Sequence, residues 1–191
     1  MTKVILASQS PRRKELLGLL GIPFEIQVSQ ADESMDPNGD PAEQVANVSR
    51  RKALAICGEE DAVVIAADTI VVCDGQILGK PHSREEACRM LQMLSGRPHL
   101  VMTGMTVMRG SRIQSHTEIT EVFFRQLSQK EILRYVESGE PMDKAGAYGI
   151  QGGAALFVEK LQGDYYNVMG LPVCRLGQML KSVVPELMQC Y

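Results

Sequence analysis

The sequence predicts an α/β fold with a mixed sheet and flanking helices, and three observations point to it. Short apolar runs rich in β-branched residues alternate along the 191-residue chain with longer segments of helical periodicity. Helix-start residues precede several of the longer segments, and glycines follow them. Hairpin turn residues also occur, as at Asp74-Gly75. Because alternation favours parallel strands and hairpins give antiparallel neighbours, the predicted sheet is mixed.

The first strand and helix follow from local signals. Residues 4–7 form an apolar run that suits a buried strand. Ser10-Pro11 predicts a helix start, because serine is a favoured N-cap and proline a favoured first helical residue. Gly21 predicts the end of this helix, after a run of leucines.

The rest of the chain continues the alternation. Asp40, Ser83 and Ser128 each precede a glutamate by three residues, which is the pattern of a capped helix start. The stretch 62–72 is the most apolar and is rich in β-branched residues, which predicts a central strand. The other predicted elements are a strand over 24–28, a loop over 29–40, a helix from 41 to about Cys57, a strand over 76–78, a helix over 84–95, strands over 99–108 and 113–125, a helix over 129–138, a strand near 155–160 and a last helix from Pro172.

Composition excludes several classes of protein. The chain has 20 Lys+Arg against 23 Asp+Glu, so it has no excess of positive charge for general nucleic-acid binding. It has no run of 18 apolar residues, and its N-terminal apolar run is too short for a signal peptide. Five scattered cysteines and three scattered histidines give little basis for a disulfide framework or a zinc site. We expect a single cytoplasmic domain over 1–191, without nucleic-acid or membrane partners.

The opening turn of the first helix has the wrong charge for an isolated helix. Arg12, Arg13 and Lys14 lie where the helix dipole favours acidic side chains. A bound anion would reverse the sign of this effect. With the hydroxyls of Ser8 and Ser10, the turn predicts a phosphate or polyphosphate cradle. The alternative is a solvated basic end of a surface helix.

Asp68 stands inside the most apolar run of the chain. A buried charge is costly unless it is paired, hydrogen-bonded or bound to metal. An aspartate that caps a strand end would be the simple explanation, but Ile70 and the two valines after it continue the strand. We interpret Asp68 as a carboxylate that holds a divalent cation, activates water, or both.

Two lysines are further candidates. Lys52 falls on the inward face of the 41–57 helix, where a lysine needs a partner, although its stem could instead reach solvent. The predicted members of that face are Val45, Val48, Lys52, Ala55 and Ile56. Lys80 follows the returning hairpin strand, where a solvated loop lysine is the alternative.

The segment 143–153 is rich in glycine and alanine. Small residues let a ligand approach the backbone closely, and Gln151 offers one acceptor and two donors in a plane. This suits the edge of uracil or thymine, which shows an N–H donor beside a carbonyl acceptor. A glycine-rich loop without a ligand is the alternative.

Taken together, these segments resemble the Maf-like nucleoside triphosphate pyrophosphatases over about residues 4–180. The opening run from Leu6 to Leu17 is similar to the signature of that family. Four further motifs follow in the family's order, namely Ala67-Asp68-Thr69, Gly79-Lys80-Pro81, Leu94-Ser95-Gly96 and Asp143-Lys144-Ala145-Gly146. The run from Tyr148 to Gly152 resembles the branch that acts on dTTP and UTP.

The resemblance implies hydrolysis between the α- and β-phosphates, giving a nucleoside monophosphate and pyrophosphate, with modified pyrimidine nucleotides as a further substrate class. It implies a divalent cation, Mg or Mn. It also implies two lobes around a cleft, as in the inosine triphosphate pyrophosphatases. A homodimer is one open alternative for the assembly.

The resemblance also implies roles for individual residues. Asp68 becomes the proton acceptor that activates water, and Asp68 and Glu33 the metal-side carboxylates. The implied substrate-binding residues are Ser8, Arg12, Arg13, Lys52, Thr69, Lys80 and Gln151. Among them, Arg12, Thr69 and Gln151 fall on positions for substrate specificity.

Two other functions remain as alternatives. One is a purine-selective pyrophosphatase acting on ITP, XTP or 7-methyl-GTP. The other is a non-catalytic nucleotide-binding regulator of septum formation. A panel of nucleotide substrates distinguishes the purine-selective enzyme from the predicted activity. Asp68→Asn tests the regulator, because this substitution should abolish hydrolysis but would leave a pure binding role intact.

Overall fold

The computed structural model describes residues 2–36, 38–56 and 61–188. The strands are β1 (Val4–Leu6), β2 (Glu25–Ile26), β3 (Val63–Cys73), β4 (Gln76–Leu78), β5 (Pro98–Arg109), β6 (Arg112–Phe124) and β7 (Val158–Gln162). The helices are α1 (Pro11–Gly18), α2 (Pro41–Leu54), α3 (Arg84–Leu94), α4 (Gln129–Glu137), α5 (Tyr165–Met169) and α6 (Val173–Val183). Short 3-10 helices cover Glu140–Asp143, Ala145–Ala147, Gly153–Leu156 and Pro185–Met188. Within the described ranges, none of the helices has the length and apolar character needed to cross a bilayer.

The strands form one seven-stranded mixed sheet. Its order is β2-β1-β3-β5-β6-β7, and β4 pairs with β3 beside this path. β1 runs parallel to β2 and to β3, because a helix returns the chain between successive strands. β4 and β7 run antiparallel to β3 and β6, respectively. The predicted mixed α/β fold is therefore confirmed.

The chain divides into two compact units. The first unit comprises Met1–Asp68, Thr103–Glu118 and Gly170–Tyr191, and the second comprises Thr69–Met102 and Ile119–Met169. The division falls inside β3, β5 and β6, so each of these strands contributes residues to both units.

In the first unit, α2 packs closely on β5. A Cβ at Gly104 would lie 2.6 Å from the backbone nitrogen of Ala46, so only glycine allows this approach. The hydroxyl of Ser49 bonds to that of Thr106 at 2.8 Å, and Thr106 bonds to Ser115 at 2.8 Å. These contacts fix the position of the helix that carries Lys52.

The second unit has an apolar core with an aromatic centre. Phe124 makes edge contacts with His99 and Tyr148, at ring-centroid distances of 4.9 and 4.8 Å. His99 Nε2 lies 2.8 Å from the Tyr148 hydroxyl, and both side chains are buried. Burial lowers the pKa of His99 to about 4, so its ring is neutral at pH 7.

Most of the predicted helix starts match the structure. Asp40 accepts a hydrogen bond from Glu43 N–H at 2.9 Å, and Ser128 forms both bonds of a capping box with Glu131. Ser83 accepts from Glu86 N–H at 3.1 Å, but the Glu86 carboxylate accepts from His82 N–H instead of from Ser83 N–H. Ser83 and Glu86 therefore form only one of the two hydrogen bonds of the predicted capping box.

Other boundaries differ from the predictions. α1 ends at Gly18 rather than at Gly21, and Gly21 lies in the turn beyond with φ 60°. α5 was not predicted, because five residues show no apolar periodicity. The hairpin at Asp74-Gly75 is confirmed, and both residues have positive φ (48° and 76°). α2 ends at Leu54 with Ala55 as its C-cap, so it is shorter than predicted, and the predicted end near Cys57 lies outside the described residues.

Candidate functional site

A lysine placed between two carboxylates forms the centre of the candidate site in the first unit. Lys52 Nζ lies 2.7 Å from Asp68 Oδ1 and 3.0 Å from Glu33 Oε1. The Lys52 and Asp68 side chains are 9% and 15% exposed, whereas that of Glu33 is 59% exposed. Lys52 therefore points inward to its partners, and its stem does not extend to solvent.

The inward face of α2 shares Val45, Val48 and Lys52 with the predicted face, adds Ser49 and Ala53, and ends before Ala55 and Ile56. Ala55 is exposed, because it follows the last helical residue as the C-cap. Its inclusion in the apolar face was wrong. The buried residues of the helix are Val45, Val48, Ser49, Lys52 and Ala53. They recur at intervals of three and four residues, which keeps Lys52 on the buried side.

Asp68 is not a strand-end residue. β3 runs on from Asp68 to Cys73, and its residues on both sides of Asp68-Thr69 are buried. Within this apolar strand, the ion pair with Lys52 compensates for the desolvation of the carboxylate. The simple explanation of a strand-capping aspartate therefore does not apply.

Arg51 is a site residue that the sequence reasoning missed. Its Nε donates to the backbone oxygen of Asp32 at 2.9 Å, and one terminal nitrogen donates to the backbone oxygen of Ser34 at 2.5 Å. The two acceptors flank Glu33, so Arg51 fixes the loop that brings Glu33 to Lys52. The adjacency of Arg51 and Lys52 was visible in the sequence, but no local pattern pairs an arginine with a loop 17 residues away.

Three of the predicted substrate-binding residues, Ser8, Arg12 and Arg13, lie at or just before the start of α1. Arg13 Nε donates to the backbone oxygen of Gly170 at 2.9 Å, and another guanidinium nitrogen donates to Ser8 Oγ at 3.3 Å. Ser8 Oγ also accepts from Ser10 N–H at 3.2 Å. Ser10 occupies the N-cap, as predicted, yet within the described residues its side chain makes no capping hydrogen bond. Ser8 is buried in this group, whereas Ser10, Arg12 and Arg13 are partly exposed.

Charge around Arg13 links the α1 start to the carboxylates. Burial lowers the pKa of the Arg13 guanidinium, and the charge of nearby Arg12 acts in the same direction. The negative charges of Asp68 and Glu33 oppose this change in the pKa. An arginine stays protonated under these conditions, so the first unit places Arg13 and Lys52 as cations near two carboxylates, with Arg12 as a further cation near Arg13.

The remaining predicted residues belong to the second unit. Thr69 follows Asp68 along β3 and is partly exposed, and Lys80 is exposed just after β4. Gly79 O accepts a hydrogen bond from Gly146 N–H at 3.0 Å, which joins two of the sequence motifs. Gln151 is exposed in a turn closed by a 3.1 Å bond from Gly152 N–H to Gly149 O.

The two carboxylates of the first unit suit a hard divalent cation. Asp68 and Glu33 each place one oxygen near the same point, which the Lys52 ammonium occupies. Among residues 2–36, 38–56 and 61–188, no three His, Cys, Asp or Glu side chains cluster as a metal cage. Mg²⁺ commonly binds through one or two carboxylates and completes its shell with water and substrate phosphates. The donor chemistry therefore fits such an ion.

Known proteins are similar to this chain over nearly its whole length. A family model described as "Maf-like protein" matches residues 3–183. A protein of Bacillus velezensis named dTTP/UTP pyrophosphatase is 53% identical over 95% of this chain and 97% of its own length. A Bacillus pumilus protein of the same name is 52% identical, also over 95% of this chain and 97% of its own.

Solved structures share the fold at low sequence identity. The Ham1 protein of Staphylococcus aureus matches with a TM-score of 0.51 and 14% identity, covering 95% of this chain and 99% of that one. A HAM1 protein of Coxiella burnetii matches with a TM-score of 0.50 and 15% identity, covering 95% and 100%. The family match spans nearly the whole chain and the relatives share half of its residues, so the chain belongs to the Maf-like protein family.

Proposed function

We propose that the chain is a nucleoside triphosphate pyrophosphatase that hydrolyses dTTP and UTP to the nucleoside monophosphate and pyrophosphate. The observation that carries the proposal is the 53% identity, over 95% of the chain, with a relative named dTTP/UTP pyrophosphatase. The first unit supports it with a partly buried carboxylate, a buried lysine and a cationic helix start. Modified pyrimidine nucleotides are a further substrate class for the same site.

Asp68 acts as the general base in the proposed reaction. A water oxygen bonds to the α-phosphorus, the bond from that phosphorus to the bridging oxygen breaks, and pyrophosphate leaves with the electron pair. The Asp68 carboxylate takes the proton that the water loses. Lys52 Nζ, 2.7 Å from Asp68 Oδ1, orients the carboxylate.

The cations neutralise the triphosphate and the charge that develops on the leaving pyrophosphate. Ser8, Arg13, Lys52 and Lys80 contact the phosphates in this proposal. The contacts of Arg13 with Gly170 and Ser8 hold its guanidinium in a fixed position before the substrate binds. Such preorganised donors stabilise the transition state without reorganising during the reaction. A Mg or Mn ion held by Asp68 and Glu33 would add charge neutralisation and polarise a phosphate oxygen.

Gln151 reads the base, and Arg12 and Thr69 complete the specificity positions. The Gln151 carbonyl accepts from pyrimidine N3–H, and its amide donates to O4. Cytosine presents the reversed pattern, an acceptor at N3 and a donor at the 4-amino group. A site built for one edge rejects the other strongly, because its polar groups are then left unpaired.

A substrate panel tests the proposed base choice. Pyrophosphate release is measured for dTTP, UTP, CTP, ITP and 7-methyl-GTP, each with Mg and with Mn. We expect dTTP and UTP to be hydrolysed well and CTP poorly, and Gln151→Glu to lower kcat/KM for dTTP and UTP. A purine preference would contradict the assignment, and an unchanged Gln151→Glu enzyme would remove Gln151 from base reading.

The cellular location and the oligomeric state of the protein stay predictions. We expect a cytoplasmic location, and a homodimer is the assembly to test, by sedimentation of the purified chain.

A further inference from the structure

We propose that Tyr135 and Glu140 are positioning residues that set base selectivity by fixing the loop that carries Gln151. The base loop is defined here as residues 148–153. The selectivity part of the inference rests on the proposed function, because it assumes that Gln151 reads the base. The geometric part depends only on contacts within the second unit.

The Glu140 carboxylate secures the end of the base loop directly and its start through the Tyr135 hydroxyl. Glu140 Oε2 accepts a hydrogen bond from Gly153 N–H at 3.0 Å. The Tyr135 hydroxyl donates to Glu140 Oε1 at 2.9 Å and accepts from Gly149 N–H at 3.2 Å. Gln151 lies between the two secured glycines, in the turn closed by the bond from Gly152 N–H to Gly149 O.

The glycines of the base loop allow its backbone to approach these partners. A Cβ at Gly152 would overlap the Glu140 carboxylate. A Cβ at Gly153 would lie 3.3 Å from the Tyr135 ring, and one at Gly149 would lie 2.6 Å from Lys144 Cε. The glycine-rich composition of this segment therefore has a packing reason besides the approach of a ligand.

The partners are themselves held in place. Tyr135 lies on α4, is 7% exposed, and contacts the edge of the Phe157 ring at a centroid distance of 5.1 Å. Lys144 Nζ donates to the backbone oxygen of Glu140 at 2.6 Å. Burial raises the pKa of the Tyr135 hydroxyl, so it stays protonated and remains a donor to Glu140. These contacts fix the carboxylate that secures the loop.

A fixed loop matters because a carboxamide can match either pyrimidine edge. Rotation of the Gln151 amide by half a turn exchanges its donor and acceptor, which would suit cytosine. The amide can rotate without any movement of the backbone, so one of its orientations is favoured only while the loop holds the exposed Gln151 side chain at one angle and depth beside the neighbouring groups of the site. Loosening either end of the loop should therefore lower selectivity more than it lowers the rate with dTTP.

Two variants disrupt this arrangement, Tyr135→Phe by removing both bonds of the hydroxyl and Glu140→Gln by removing the carboxylate charge and one of its two acceptor oxygens. Tyr135→Phe removes the hydroxyl and keeps the ring, and Glu140→Gln replaces the Oε2 acceptor or the Oε1 acceptor with a donor. The matched controls are Tyr166→Phe on α5 and Glu137→Gln on α4, both at exposed positions. The readouts are kcat/KM for dTTP and for CTP, and amide hydrogen exchange at Gly149 and Gly153.

We expect the ratio of kcat/KM for dTTP to that for CTP to fall about tenfold in each variant, the effect of losing one or two hydrogen bonds that hold the loop. Both amides should exchange faster, and the controls should match the wild type. The ratio does not depend on the folded fraction, because both substrates report on the same active molecules. Gly152→Ala keeps both partners but displaces the carboxylate, and should give the same loss.

The two proposals fail in different ways. Variants that keep the wild-type ratio and the wild-type exchange, while the wild type prefers dTTP to CTP, would overturn the positioning role. A wild type without that preference would instead contradict the proposed function. In that case, faster exchange at Gly149 and Gly153 in the variants still supports the positioning role, and unchanged exchange overturns it.

Discussion

At the scale of single residues, the ion pair between Asp68 and Lys52 accounts for two unusual positions in the sequence. A lysine on the inward face of a helix and an aspartate in an apolar strand would each be costly alone. The 2.7 Å contact between Lys52 Nζ and Asp68 Oδ1 compensates for the desolvation of both charges. Truncating one partner would leave the other charge without a hydrogen-bond partner, so substitutions that keep the shape and a polar atom are the cleaner tests.

Asp68→Asn keeps the shape of the side chain and removes its basicity. We expect kcat for dTTP to fall by about 10²-fold or more, as for loss of a general base or metal ligand. The matched control is Asp61→Asn, at an exposed position of the same unit, which should keep the wild-type rate. Near-normal turnover in folded Asp68→Asn would remove Asp68 from the mechanism.

Arg51→Lys tests the support of the Glu33 loop. A lysine cannot donate to the backbone oxygens of Asp32 and Ser34 with the forked geometry of a guanidinium. We expect the Mg concentration for half-maximal activity to rise about fivefold, the effect of losing about one hydrogen bond. Arg50→Lys, on the exposed side of α2, is the control. Equal Mg dependence in Arg51→Lys and Arg50→Lys would show that Arg51 does not position Glu33.

At the scale of elements, the aromatic centre of the second unit ties β5 to the start of the base loop. His99 lies on β5, and its contact with the Tyr148 hydroxyl is buried. Because burial lowers the pKa of His99 to about 4, the unfolded chain binds a proton more tightly than the folded chain does. The stability that this neutral histidine contributes is complete above the unfolded pKa and is lost as the pH falls.

A titration of stability tests this effect. With an unfolded pKa of about 6.5, the free energy of unfolding should drop by about 2 kcal/mol between pH 7 and pH 4.5 because of His99. His99→Gln should remove that part of the drop, whereas His82→Gln, at an exposed position, should not. Urea denaturation at pH 7 and at pH 4.5 measures the free energy of unfolding of each protein. Equal pH dependence in His99→Gln and the wild type would contradict the buried neutral histidine.

The elements that the sequence predicted are those with local signals. Asp40 and Ser128 cap their helices, and the Asp74-Gly75 turn forms, because each signal acts within a few residues. Boundaries set by tertiary packing were less accurate, as at the end of α1. Glu33 was placed by resemblance alone, and the physical reason for its position is the long-range contact of Arg51 with its loop.

At the scale of the whole molecule, the net charge of −3 hides a local concentration of positive charge. Arg12, Arg13 and Lys52 all belong to the first unit, where Asp68 and Glu33 balance part of their charge. A clustered set of cations attracts an anionic substrate even when the chain as a whole is acidic. Composition alone therefore argued against a general nucleic-acid binder but did not indicate a polyphosphate.

Identification of the products of dTTP hydrolysis tests the central claim most directly. Purified protein is incubated with dTTP and Mg, and the products are followed by phosphorus NMR, with Asp68→Asn as the inactive control. Cleavage between the α- and β-phosphates predicts equal amounts of dTMP and pyrophosphate, without dTDP or orthophosphate at early times. Formation of dTDP and orthophosphate, or no reaction under conditions where the protein is folded, would contradict it.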